Sequence, residues 1–81
     1  MQVKVSFLGK VQGYSSGENL ALDLPDTTDV DTLFKEIIKQ KPRLKGIAKF
    51  LFVSVNGVMA ARNRELLDGD EVALFFRMGG G

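Results

Sequence analysis

The sequence predicts an α+β domain in which one helix packs on one face of a mixed sheet, in the order β-β-α-β-β-β. Three observations lead there. Apolar residues alternate with period two near both ends of the chain, through Val3, Val5 and Phe7 and again through Val72, Leu74 and Phe76. One central stretch repeats at helical spacing instead, through Val30, Leu33, Phe34, Ile37 and Ile38. Two tight-turn pairs, Asn56-Gly57 and Asp68-Gly69, divide the remainder into short segments. A helix with one apolar stripe and strands with one apolar face are stable only when they bury those surfaces together.

The elements follow in order. In VKVSFLG, Lys4 and Ser6 oppose the apolar positions, as in a half-buried strand. KVQGYSSG, with Gly13, Gly17 and two serines, reads as a turn or loop. ENLALDLP alternates through Leu20, Leu22 and Leu24 until Pro25 ends it, so the first two strands form a hairpin with a long connection. The helix over 30–41 places its apolar residues at i, i+3, i+4, i+7 and i+8. Thr28 or Asp29 can cap its start, and Asp31 suits the positive end of the helix dipole. Lys39 and Lys41 suit the other end, and Pro42 prevents continuation. RLKGIAKF is consistent with a short helical turn around Leu44, Ile47 and Ala48. LFVSV is a strand with Leu51, Val53 and Val55 on one face, Asn56-Gly57 is a hairpin turn, and VMAA is a short return strand. RNRELLDGD crosses back to the last strand, EVALFFR.

This order resembles the β-grasp, or ubiquitin-like, fold. The expected organisation is a β-grasp domain over 1–76 and a flexible glycine tail over 77–81.

Composition excludes several classes of function. A chain of 81 residues is one small domain, and its 44% hydrophobic and 26% charged content is that of an ordinary soluble globule. With no Cys there is no thiolate nucleophile, and with no His the commonest general base and metal ligand is missing. An autonomous enzyme is therefore disfavoured. A net charge of +1 supplies no global attraction to nucleic acid or an anionic membrane. No apolar run reaches the ~20 residues that span a bilayer, and MQVKVSF lacks a signal-peptide core, so a cytoplasmic protein is expected.

The end of the chain, FFRMGGG, is the unusual feature. Glycines pack poorly but extend and bend freely. From Phe76 to Gly81 such an arm reaches on the order of 17 Å, at ~3.3 Å per residue. Without Cβ atoms it fits a narrow channel and presents a main-chain carboxylate at its tip. Once activated as a mixed anhydride with AMP, that carboxylate can acylate a sulfur or amine nucleophile with no side-chain chemistry in the domain. A frayed terminus or a glycine linker is the alternative on composition alone.

The segment VNGVMAARNRELLDGDEVALFFRMGGG resembles the C-terminal third of the MoaD/ThiS family of sulfur carriers. The matching elements are Val55-Asn56-Gly57, then Leu67-Asp68-Gly69-Asp70-Glu71-Val72, a hydrophobic run, and Gly80-Gly81 at the C-terminus. MQVKVSFLG, LALDLP and TTDVDTLF fit the same pattern, so the resemblance covers the whole chain and is closest to the small subunit of molybdopterin synthase. It implies a non-catalytic carrier with no bound cofactor. Gly81 would be adenylated by a ubiquitin-activating-like enzyme of the MoeB/ThiF type, which uses ATP, and then converted to a thiocarboxylate. Gly79 and Gly80 would thread the partner's active site, as in the MoaE-type large subunit of molybdopterin synthase. Phe75 matches a hydrophobic partner-contact position. A ThiS-type carrier for thiazole synthesis, a modifier conjugated to lysines through Gly81, and an interaction domain with a passive tail remain open.

Strand parity adds a docking surface. If Val72, Leu74 and Phe76 face the helix, Phe75 and Arg77 face away, and Phe52 does likewise on its own strand. Phe75, Arg77 and Phe52 are therefore candidate partner contacts, and Met78, next along the chain towards the tail, is taken with them. Lys35, Lys39, Lys41, Arg43, Lys45 and Lys49 concentrate positive charge, but no interleaved aromatics make a platform for single-stranded nucleic acid. Glu65, Asp68, Asp70 and Glu71 lack the spacing of a calcium loop. Gly9, Gly13 and Gly17 lack the following helix of a phosphate loop.

Overall fold

The structure is a computed structural model, and it describes residues 1–15 and 19–76. Five strands form one sheet: β1 (Gln2–Phe7), β2 (Leu20–Asp23), β3 (Leu51–Val55), β4 (Val58–Met59) and β5 (Glu71–Phe76). Their spatial order is β2-β1-β5-β3-β4. β1 and β5 are parallel neighbours and every other pairing is antiparallel, so the sheet is mixed as the sequence predicts. One helix, α1 (Val30–Gln40), covers one face.

Local chemistry accounts for α1. Asp29 is its N-cap, accepting the Thr32 N–H at 2.9 Å, and that backbone hydrogen bond is the main reason its carboxyl titrates below the usual value. Val30, Leu33, Phe34 and Ile37 are buried. Each contributes about 1.5–3 kcal/mol relative to an exposed side chain. They pack against Val3, Val5, Phe7, Leu51, Val53, Val55, Val72 and Leu74, the inward residues of three strands. Ile38, at the margin of the stripe, is only partly buried.

Two connections are more ordered than the sequence suggests. The segment after β1 is a 3₁₀ helix, Gly9–Tyr14, rather than an open loop. Gly9 turns the chain with φ 58°, and Val11 then inserts into the core. The segment 42–50 forms two 3₁₀ turns, Pro42–Leu44 and Ala48–Phe50, with Leu44 buried. Arg62 closes that side. Its guanidinium lies 3.9 Å from the centre of the Phe34 ring and 3.3 Å from Asp31 Oδ1.

Candidate functional site

The two turn motifs meet in space. Asn56 and Gly57 have φ of 51° and 84°, the pair of positive angles that a type I′ hairpin demands. The turn is then pinned to the start of β5. Asn56 N–H donates to Glu71 O at 2.8 Å, and Glu71 N–H donates back to Asn56 Oδ1 at 2.9 Å. Asn56 Nδ2 donates to Asp70 Oδ1 at 2.9 Å, while Leu67 N–H donates to Asp70 Oδ2 at 2.8 Å. Arg64 Nη1 lies 3.5 Å from Oδ2, an ion pair without hydrogen-bond geometry.

Asp70 is 5% exposed. Burial pushes its carboxyl up, but the Leu67 N–H, the Asn56 amide and Arg64 together outweigh burial and hold it below the ordinary value of 3.8. Next to it, Gln2 N–H donates to Asp68 Oδ1 at 2.6 Å and Gly69 N–H to Gln2 O at 2.7 Å. Gly69 sits at φ 86°. These bonds set the register of β5 on both of its neighbours. The residues that carry the sequence motif are therefore structural, and they determine where the last strand emerges.

β5 emerges at the other end of the sheet, beside the end of β1 and the start of β3. Phe7 pairs with Leu74, and Leu51 pairs with Phe76. On the helix side the Tyr14 ring meets Phe76 edge-on, with centroids 6.2 Å apart. On the open side Phe52 and Phe75 are direct cross-strand partners, edge to face at 6.1 Å. Phe75 is half-buried and Phe52 is 36% exposed. Leu8, 46% exposed, extends the row: its N–H continues the β1–β5 ladder to Leu74 O at 2.9 Å. Met59 adds an exposed side chain one row further along. The outward positions of Phe52 and Phe75 are as strand parity predicts, and the structure brings the two rings together. Arg77, Met78, Gly79, Gly80 and Gly81 lie outside the described residues.

Tyr14 and Leu8 were not legible as site residues. Leu8 continues the alternation of β1 by one more step, a usable signal. Tyr14 had none, because its position depends on how the 3₁₀ helix folds back. Among the described residues no group of three acidic, His or Cys side chains could hold a metal, and no helix is long and apolar enough to cross a membrane. Two lysines of the basic run pair with acids on α1: Lys35 with Asp31 at 3.4 Å and Lys39 with Glu36 at 3.7 Å.

Comparison with known proteins agrees with this architecture. No curated protein matches the sequence. Among solved structures, SAMP1 from Haloferax volcanii superimposes with a TM-score of 0.88 at 19% identity, each chain covered over 100%. Urm1 from Trypanosoma brucei gives 0.73 at 22% identity, covering 99% of this chain and 95% of its own. The complex of subunits 1 and 2 of the molybdopterin-converting factor from Helicobacter pylori gives 0.73 at 27% identity, again with 100% of each chain covered. The fold is thus the ubiquitin-like β-grasp. The model of the ThiS family matches residues 5–81. The chain belongs to the ThiS family and is a ubiquitin-like protein of the ThiS/MoaD sulfur-carrier type.

Proposed function

We propose that the protein carries sulfur on its C-terminal glycine as the small subunit of a molybdopterin synthase. The Gly81 carboxylate attacks the α-phosphate of ATP on a MoeB/ThiF-type enzyme, and pyrophosphate leaves. Hydrosulfide, supplied by a sulfur donor, then attacks the acyl carbon of the acyl-adenylate and AMP leaves, which gives the thiocarboxylate. The tail, Gly79–Gly81, delivers that sulfur into the active site of a MoaE-type large subunit. The domain itself is a handle rather than a catalyst, and Phe75, Phe52, Arg77 and Met78 make the docking contacts. One observation carries the reading: the family match extends across the glycine tail to residue 81. The H. pylori complex supports the molybdopterin branch, since its two components are the two subunits of that factor.

The test is deletion of Gly81 in the native host. Intact mass spectrometry of the unaltered protein should show a species heavier by the difference between sulfur and oxygen. The deletion should abolish both that species and molybdenum-cofactor synthesis. Loss of thiamine synthesis instead would assign the ThiS-type branch, and larger lysine adducts would assign a protein modifier. A fully functional deletion variant would refute activation at Gly81.

A further inference from the structure

We infer that the end of the sheet from which the tail emerges is a cationic collar around an apolar centre, built to seat on a protein surface whose own apolar centre is ringed by carboxylates. This inference deepens the carrier reading and rests on it. The net charge of +1 conceals a segregation of charge. No Asp or Glu occurs in residues 1–17 or 37–64. Those two stretches supply both walls of the exit, the turn after β1 on one side and the entry to β3 on the other.

Lys10, exposed, leads the 3₁₀ helix at the end of β1. Lys49, also exposed, lies in the 3₁₀ turn that leads into β3, with Nζ 5.2 Å from the centre of the Phe50 ring. Phe50 is itself 45% exposed. Between these two walls lie Leu8, Phe75 and Phe52. Five carboxylates lie at the opposite end of the sheet. Asp23 and Asp26 lie 3.6 and 3.5 Å from the Met1 ammonium, Asp68 caps the start of β1, and Asp70 and Glu71 open β5.

The fold therefore gives the molecule a positive pole at the tail and a negative pole away from it. An apolar core with a charged rim is the usual anatomy of a protein interface. A rim of one sign steers encounter and selects a partner of opposite sign. The rings of Phe52 and Phe75 pack edge to face on each other instead of lying as parallel platforms for successive bases. That favours a protein over a single-stranded nucleic acid.

The experiment measures ATP–pyrophosphate exchange by the host's MoeB/ThiF-type adenylyltransferase, with this protein as the varied substrate. The variants are Lys49→Glu, the double variant Lys10→Glu/Lys49→Glu, and Asp26→Lys at the far pole. All four proteins are first shown to melt alike. The double reversal should raise KM roughly tenfold at low ionic strength with kcat unchanged, and the single reversal should fall between it and the unaltered protein. Raising the salt to about 0.5 M should bring the double variant to within about twofold of the unaltered protein. Asp26→Lys should leave KM unchanged. If the double variant matches the unaltered protein at low salt, or Asp26→Lys is equally harmful, the collar is overturned while activation at Gly81 stands. If the unaltered protein supports no exchange, the carrier reading fails and the collar with it. Binding of a labelled single-stranded oligonucleotide that the double reversal abolishes, with exchange kinetics unmoved, would assign the collar to nucleic acid and overturn the proposal.

Discussion

Replacing Asp70 by Asn should destabilise the domain by about 2–3 kcal/mol at neutral pH, through the register of its last strand. The carboxylate accepts two hydrogen bonds on different oxygens, from Asn56 Nδ2 and from Leu67 N–H. An amide keeps the shape and volume but has one acceptor oxygen. Whichever way it turns, its NH₂ group faces a donor, and one partner is left unsatisfied. For a partly buried group that loss costs about 1–3 kcal/mol. The ion pair with Arg64, whose side chain is 39% exposed, adds only about 0.5 kcal/mol. At about 4–8 °C per kcal/mol for a domain of this size, the melting temperature should fall by about 10–20 °C.

Urea unfolding followed by circular dichroism measures the difference. The pH dependence separates charge from shape. Asp70 titrates lower in the folded protein than in the unfolded chain. Its contribution is therefore present above the unfolded value of about 3.9 and lost as pH falls through the folded one. The gap between the unaltered protein and Asp70→Asn should hold from about pH 7 to 5 and close below about pH 4. A gap under about 0.5 kcal/mol at neutral pH, or one undiminished in acid, would refute the assignment of Asp70 as the pin.

Four further substitutions test the backbone and the open face. Gly57→Ala should destabilise by about 1 kcal/mol, since φ 84° is strained for any side chain although no atom lies within 4 Å of the added Cβ. Gly13→Ala, equally open and free of a positive φ, should be neutral or stabilise by about 0.5 kcal/mol. Equal effects in the two variants would contradict the conformational argument. A double-mutant cycle of Phe52→Ala and Phe75→Ala should give a coupling energy of about 0.5–1.5 kcal/mol in urea unfolding, the worth of an edge-to-face pair. Zero coupling would mean that the rings do not meet in solution.

Local patterns settled the strands and the α-helix of this protein. The period of Val3, Val5 and Phe7 could only be a strand with one buried face. The stripe from Val30 to Ile38 could only be a helix, and Asn56-Gly57 was legible as a tight turn because few residues tolerate two successive positive φ angles. Parity along β3 and β5 was enough to send Phe52 and Phe75 outward. The five-strand order, with β5 placed between β1 and β3, depended on pairings between residues up to 67 positions apart, such as Lys4 with Glu71, which no local period encodes. The same long-range closure turned two separate motifs into one pin at Asp70, brought Phe52 against Phe75, and set Tyr14 against Phe76. It also separated charges that nearly cancel along the chain into two poles. Hydrogen-bond direction, ring contact and electrostatic field all depend on distance in space, so they came into being only when the sheet closed.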